Sequence, residues 1–507
     1  MQNKRLLYLT AVIVLLTILA RVLPGPRTVD DAYITFRYAQ NIINGDGMVY
    51  NTGERVLGTT TPVFTFLMAA LGSIFGGINA PFPWIALLVN TLADVITTLL
   101  LIRLGENLGH RKAGFATSLI WSIAPMSVTF AIGGMETSVF VCLMTATFYF
   151  YSNNVLVPTA FMASLSLLTR PDALIFILPL GLDRIRRGVL ALRHSILSDR
   201  ITLREVFAFA IPVLIWFLLA TIYFGSPVPN SLAAKTVAYR LSSEAALVRL
   251  LQHYSTPFLG HLTFDRFWIV IGFIVFPVVY GLGSLKVIRD KLRSWAIFFY
   301  PILYLLAFSI ANPLIFRWYL TPPLPVYFLG IFLGVERIAM DFKKPILLIL
   351  FAALAFALTL NGWTLEPDHG PDRPAPEMAF IELELMYEEV GRELKGEIGS
   401  EEVLAAGDIG ALGYFSRARI LDTVGLISPE VARYYPIPES YYEINYAIAP
   451  DLILDMKPDF LVILEIYGRN ELLEDPVFND SYSLRNVIET DIYGSEGLLV
   501  FERAGTK

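Results

Sequence analysis

Residues 6–37 read LLYLTAVIVLLTILARVLPGPRTVDDAYITFR, and residues 38–62 continue YAQNIINGDGMVYNTGERVLGTTTP. The stretch changes character at Pro24. Before it, Leu6 to Leu23 is almost wholly apolar and follows Lys4 and Arg5. Such a start fits a signal peptide, but no small-residue cleavage pattern follows it. Arg21, Pro24, Gly25 and Pro26 stand there instead. The run is therefore read as an uncleaved first membrane helix, near the ~20 apolar residues a crossing needs. After it comes a polar loop that opens on two adjacent aspartates, Asp30 and Asp31.

The rest of the chain repeats this alternation. Of 507 residues, 55% are hydrophobic and 17% charged, and the mean hydropathy is +0.58. Soluble chains carry about 25% charged residues. A soluble enzyme, a disordered chain and a disulfide scaffold are set aside on that ground. The single cysteine, Cys142, lies in an apolar run and excludes an intrachain disulfide. The net charge of −6 hides a split. Residues 363–507 hold 29 acidic and 11 basic side chains, and residues 1–362 hold 16 and 28. A basic, apolar part precedes an acidic, polar one.

Further apolar runs lie at roughly 62–77, 84–102, 113–131, 139–152, 155–170, 171–182, 205–224, 266–283, 295–311, 322–339 and 345–362. Lys and Arg in short loops mark the cytoplasmic side. The basic clusters are Lys4/Arg5, Arg103/Arg111/Lys112, Arg184 to Arg204, Lys286/Arg289/Lys291/Arg293 and Arg337/Lys343/Lys344. Placing all of them inside requires one run not to cross. The run 62–77 starts at Pro62, ends at Gly76-Gly77 and is read as interfacial or re-entrant. The fold class expected is a polytopic α-helical membrane protein of about 11–12 transmembrane helices, with an extracytoplasmic C-terminal α/β domain. The N-terminus is then cytoplasmic. The membrane domain is 1–362, with 25–60 as its first outer loop; 363–376 is a proline-rich linker and 377–507 the soluble domain. In that domain 377–397 has a helical pattern, and strands are expected at 403–406, 420–421, 460–464 and 498–501. It shows neither metal-ligand spacing nor a phosphate-cradling glycine loop.

The outer loops collect the least ordinary chemistry. Paired carboxylates at a membrane boundary are costly to bury and point to function. One can take a proton from an attacking hydroxyl. The same pair would also serve as an N-cap in a solvated turn. Tyr33, Arg37 and Asn41 recur at i, i+4 and i+8 and share one helix face. Glu54, Arg55 and Thr59–Thr61 follow a Gly-Asp-Gly turn. Other outer-loop candidates are Glu136, Arg170, Asp172, Asn230, Lys235, His261, Arg317 and Tyr319. Arg170 and Asp172 suit a local salt bridge as well as a ligand. Two or three basic groups at an interface suit a lipid phosphate, because Arg and Lys hold phosphate oxygens with charge-assisted bonds.

The loop DDAYITFRYAQNIINGDGMVYNTGERVLGTTTP resembles the first extracytoplasmic loop of GT-C polytopic glycosyltransferases, in the bacterial arabinofuranosyltransferase B branch. GGMETSVF at 133–140, TRPDALIF at 169–176, GSPVPNSLAAK at 225–235, RWYLTPPLP at 317–325 and GDIGALGYFSRARILDTVGLISPE at 407–430 are similar to the same proteins, in the same order. The resemblance implies an integral membrane enzyme with a polyprenyl-phosphate sugar donor and a glycan, glycolipid or protein acceptor. It implies transfer on the outer face, normally with inversion. The general base maps onto Asp30 or Asp31. Basic residues hold the donor phosphate, with Lys235 and Arg317 first and Arg170 and Arg37 behind them. Tyr33, Glu54, Arg55, Thr60, Glu136, Asp172, Asn230, His261, Tyr319, Asp408, Tyr414 and Asp422 are the substrate-side candidates. Asp422 fits a strand-end turn equally well. GTTTP at 58–62 departs from the aromatic expected before the threonines. The sugar, arabinofuranose or a hexose such as mannose, is not fixed by any residue here.

Two other classes compete. A secondary transporter would show inverted repeats and mid-membrane charges; no clear repeat stands out. A scaffold binding cell-wall polymer leaves Asp30–Asp31 unexplained. No obligatory metal is expected, although a divalent cation beside Asp30 and Asp31 suits carboxylate oxygens. The lipid bilayer is a partner and nucleic acid is not.

Overall fold

The computed structural model describes residues 2–194, 199–259, 266–367, 370–399 and 401–505. Every apolar run named above is helical. Among the described residues six helices are long and apolar enough to cross a bilayer: Lys4–Val22, Phe82–Leu108, Leu203–Phe224, Phe267–Asp290, Leu292–Ala311 and Arg317–Asp341. The bent pair Arg111–Ile123 and Pro125–Ile132 makes a seventh. By length and apolarity alone this count is smaller than the 11–12 expected from hydropathy. Pro62–Ile74, Thr137–Ser152, Leu156–Thr169 and Ile346–Leu360 are apolar but short. At about 1.5 Å per residue they reach roughly 20–24 Å, less than the ~30 Å hydrocarbon core.

The chain divides into two compact units. One comprises Met1–Arg27, Pro83–Trp216 and Ser243–Phe380; the other comprises Thr28–Phe82, Phe217–Ser242 and Ile381–Lys507. The first outer loop, the segment before residue 243 and the acidic tail therefore belong to one body. This division differs from one drawn along the sequence.

In the first unit an apolar core runs from Leu101 through Trp121, Phe148, Phe176, Tyr300 and Phe328 to Ala355. The same unit holds a buried polar knot. Pro125 disfavours a helical Ala124 and lacks an N–H, so the helix breaks there by 47°. Arg21 donates to Ser122 O at 2.7 Å and to Ser127 Oγ at 2.6 Å, on either side of the break. Asp94 accepts from Arg21 Nε at 2.8 Å, and neither side chain is exposed. A charge buried this deeply needs such pairing. The proline-rich segment read as a linker is held: Trp363–Thr364 pairs antiparallel with Ala375–Pro376, and Arg27 donates to Ala379 O at 3.0 Å.

In the second unit the helix Asp30–Asn44 starts with two acidic residues, which suits the positive end of its dipole. Gly45, at φ 92°, closes it by donating to Asn41 and Ile42 carbonyls. The tail folds into a five-stranded sheet ordered Arg419–Asp422, Val403–Ala406, Phe460–Leu464, Leu498–Arg503 and Tyr482–Ile488. The first three strands are parallel and the last two antiparallel to their neighbours. Glu382–Leu394 and Gly410–Ser416 pack together beside it. Strand Tyr482–Ile488 was not expected. Its SLRNVI core alternates poorly, and it sits at a sheet edge with a register shift between Leu484 and Asn486.

Candidate active site

In open α/β sheets, groups at the carboxyl ends of parallel strands face the usual ligand crevice. Gly407 and Asp408 follow Val403–Ala406 directly. The backbone that follows is what Asp30 grips. Its Oδ2 accepts from Gly410 N at 2.9 Å and its Oδ1 from Ala411 N at 2.7 Å. Asp30 N donates to Glu384 Oε1 at 3.3 Å. The approach is close enough that a Cβ on Gly410 would stand 1.8 Å from Asp30 O, so only glycine fits. Asp408 Oδ2 accepts from Tyr387 Oη at 2.8 Å. Burial first, then repulsion from Asp408 and Asp31, holds the Asp30 carboxyl well above its ordinary range, against the two amide bonds that lower it. Burial and Asp31 likewise raise Asp408, against the Tyr387 hydrogen bond.

Asp31 is placed differently. Its Oδ2 lies 3.8 Å from Lys235 Nζ, and the side chains are 31% and 25% exposed. Lys235 comes from the nine-residue helix Asn230–Ala238. That helix is anchored by Asn230, whose Nδ2 donates to Gly425 O at 2.6 Å and Leu426 O at 3.1 Å. Both oxygens of Asp30 are thus committed to backbone amides, while Asp31 remains open to solvent beside an ammonium group.

The expected face of Tyr33, Arg37 and Asn41 exists, but it is a packing face. Arg37 is 5% exposed. It donates to Tyr50 O at 2.9 Å, Gly413 O at 2.7 Å and Ala418 O at 2.6 Å, and lies 4.2 Å over the Tyr50 ring. All three guanidinium nitrogens thus donate to backbone carbonyls, which makes Arg37 a clamp between these segments. Asn41 Nδ2 donates to Val49 O and Tyr50 O. Tyr33 packs 5.0 Å from the Tyr414 ring, which burial places in the same aromatic cluster with Phe36 and Phe415. Glu54 pairs with Arg419 at 2.6 Å and accepts from Asn51 at 2.9 Å. Arg55 stacks over Tyr223 at 4.7 Å. Thr60 is a half-buried bend residue. Asp422 ends its strand as a turn cap: it accepts from Val424 N at 2.9 Å and Ile427 N at 3.1 Å, and is fully buried. Burial raises its carboxyl to about 6.

The first unit holds the other candidates. Arg170, 3% exposed, forks onto Asp172 at 3.0 and 3.1 Å, reaches Glu136 at 3.3 Å and stacks on Tyr319 at 4.9 Å. Tyr304 Oη adds a bond to Asp172 at 3.3 Å. Local pairing, the simpler of the two expectations for Arg170 and Asp172, describes this cluster. Arg317 donates to Met378 O at 3.0 Å and covers the Phe380 ring at 4.0 Å. His261 lies outside the described residues. The helix Ala245–Ser255 carries a pair that sequence reasoning missed. Arg249 is half-buried and has no hydrogen-bonded or ionic partner among the described residues; burial lowers its pKa. One turn on, His253 has a buried Nε2 with no hydrogen-bond partner among the described residues, and burial lowers its imidazole to about 4, against a backbone contact with Leu320 that raises it. The i, i+4 spacing was legible, but nothing in the sequence marked Arg249 as unpaired. Among the described residues no group of three or more His, Cys, Asp or Glu is arranged to hold a metal ion.

With this geometry in place, three comparisons bear on the chain. A family described as Domain of unknown function (DUF8728) matches residues 378–501, the tail alone. The terminal beta-(1->2)-arabinofuranosyltransferase of Mycobacterium tuberculosis is 26% identical over 232 residues, which is 41% of this chain and 35% of the relative. The chain thus matches about a third of that protein's length. ArnT from Cupriavidus metallidurans in the apo state superposes with a TM-score of 0.59 at 12% identity, over 99% of this chain and 98% of ArnT. Its structure bound to undecaprenyl phosphate gives 0.58 at 11% identity, over 100% and 99% of the two chains. The oligosaccharyltransferase AglB from Archaeoglobus fulgidus, in complex with an inhibitory peptide and a dolichol-phosphate, gives 0.55 at 11% identity over 99% of this chain and 74% of AglB. The fold is that of GT-C glycosyltransferases along the whole chain, joined to a sheet domain at the C-terminus. The chain is a multi-span membrane protein with the GT-C glycosyltransferase fold.

Proposed function

We propose that this protein is a glycosyltransferase that moves one sugar from a polyprenyl-phosphate donor to a cell-envelope glycan, glycolipid or protein acceptor at the outer membrane face. The carrying observation is Asp31: a partly exposed carboxylate 3.8 Å from a lysine ammonium, on the first turn of a helix locked in place by Asp30. An acceptor hydroxyl gives its proton to Asp31 as its oxygen attacks the anomeric carbon. The carbon–phosphate oxygen bond breaks on the opposite side, so the configuration inverts. The electron pair leaves with the lipid phosphate, and the Lys235 ammonium stabilises that growing charge. Asp30 is a positioning residue, because both its oxygens are held by backbone amides. No nucleotide sugar takes part. Arabinofuranose, as in the M. tuberculosis relative's name, and mannose are the first donors to try.

The test is transfer by purified protein in nanodiscs, with polyprenyl-phosphate pentoses and hexoses offered singly. Turnover with one donor, lost in Lys235→Met, supports the reading. Lack of turnover with every donor and acceptor, by protein that binds no polyprenyl phosphate, overturns it.

A further inference from the structure

A cavity of about 420 Å³ opens in the first unit, lined by none of the candidate site residues discussed above. It lies between the ends of helices: Asn107 and Leu108 close Phe82–Leu108, and Tyr151 and Ser152 close the helix Thr137–Ser152. Lys291, Arg293 and Ser294 form its third side. Three membrane spans start or stop at this level. Phe82–Leu108 ends there, Phe267–Asp290 stops one residue before Lys291, and Leu292–Ala311 begins one residue after it. If these helices are the spans, the cavity sits where hydrocarbon gives way to head groups.

Its lining is cationic and rich in donors. Lys291 Nζ reaches Asn107 O, which neutralises a helix C-terminus. Its side chain is exposed, so the ammonium keeps donors for a ligand. Among the described residues the only ionic partner of Arg293 is Asp199, at 3.4 Å, and Asp199 is shared with Arg187. A further carboxylate, Asp183, is held by Arg186, Arg187, Tyr151 and Trp295. Asn107 Nδ2 and the Ser152 hydroxyl, 3.1 Å apart, add neutral polar groups. Leu108, Leu292 and Ile297 supply an apolar wall on which a first acyl segment can lie. Basic residues in short loops follow from membrane topology alone. Topology does not explain a cavity between three helix ends that gathers two of them with amide and hydroxyl donors.

We infer that this cavity is a second anion site, one that holds the phosphate head group of an anionic membrane lipid and is separate from sugar transfer. Two cations at a membrane surface, with hydroxyl and amide donors behind them, match a phosphodiester. The experiment uses the full-length protein in detergent. Phosphatidylglycerol, phosphatidylcholine and inorganic phosphate are titrated separately, and retained lipid is counted by native mass spectrometry. The double variant Lys291→Gln/Arg293→Gln is expected to bind phosphatidylglycerol about 30-fold more weakly. Lys286→Gln/Arg289→Gln removes the same charge outside the cavity and is expected to bind as the unmodified protein does. A melting curve for each variant separates lost binding from lost fold. Equal retention of phosphatidylcholine, unchanged binding in the double variant, or an equal loss in the Lys286/Arg289 control overturns the inference. Displacement of the lipid by millimolar inorganic phosphate overturns the lipid assignment in favour of a free-phosphate site.

Discussion

Arg37→Lys separates a structural arginine from a ligand-binding one. The substitution keeps the charge and removes the fork. Arg37 makes three short bonds, to the carbonyls of Tyr50, Gly413 and Ala418, from three different nitrogens. A lysine has one nitrogen on a flexible stem and reaches one of these carbonyls at a time. Two carbonyls then lose their charged donor in a site that is 5% exposed. Each hydrogen bond to a charged group contributes about 1.5–3 kcal/mol, so the loss is about 3–6 kcal/mol. Such a loss lowers the melting temperature of a unit this size by roughly 10 °C. Hydrogen exchange localises it: amides at 49–51 and 409–420 should open first, because those backbones are what Arg37 joins. Polyprenyl-phosphate binding, measured at low temperature on the folded fraction, should stay within about twofold of the unmodified protein. An unchanged melting curve with a tenfold loss of lipid-phosphate binding would refute the clamp and restore the phosphate role.

Three further outcomes follow from the same geometry. Asp422, raised from 3.8 to about 6, binds its proton more tightly folded than unfolded, and Asp30 and Asp408 are raised in the same direction. The folded state therefore gains protons between about pH 4 and 6, and stability falls as pH rises through that window, by about 2–3 kcal/mol for Asp422 alone. Thermal melts should show the second unit more stable near pH 4 than at pH 6.5; a flat or rising profile contradicts the placement of these carboxylates. Arg249, which has no ionic partner among the described residues, is a further candidate for the lipid phosphate: Arg249→Gln should leave the melting temperature within about 1 °C while weakening retention of polyprenyl phosphate about tenfold; unchanged retention shows that Arg249 does not hold the phosphate. Chelation with EDTA should leave transfer unaltered, and a loss restored by added Mg²⁺ or Mn²⁺ would place a cation beside Asp30 and Asp31.

The elements were legible where one period dominated. Apolar runs such as 205–224 and 345–362 announce helices, because a polar residue would stand out among them. How many of these helices cross a membrane was not legible. Hydropathy marks 139–152 and 155–170 as apolar without giving the lengths of the helices, which are 16 and 14 residues. The strand 460–464 is continuously apolar and was read directly; the edge strand 482–488 carries Ser483, Arg485 and Asn486 and was not. Asp30 and Asp31 were legible as a pair, since two adjacent carboxylates after a membrane helix need a reason. Their difference was not. It depends on the Gly410 and Ala411 amides, nearly 380 positions along the chain, and on the turn that brings Lys235 beside only one of them. For Arg37 and Arg170 the sequence shows a charge but not the protein partners that each already holds.

The central claim is that Asp31 is the base and Asp30 its positioning neighbour. It is tested most directly by single-turnover transfer with Asp31→Asn and Asp30→Asn in nanodiscs, once an accepted donor is known, with donor binding measured alongside. A positioned general base contributes about 10²–10⁴-fold. Asp31→Asn should lose that factor in the transfer step while its donor affinity and melting curve hold. Asp30→Asn should lower the melting temperature and retain more transfer than Asp31→Asn in the protein that remains folded. Transfer by Asp31→Asn at the unmodified rate, or the full loss in Asp30→Asn with its fold and donor binding intact, would contradict the assignment.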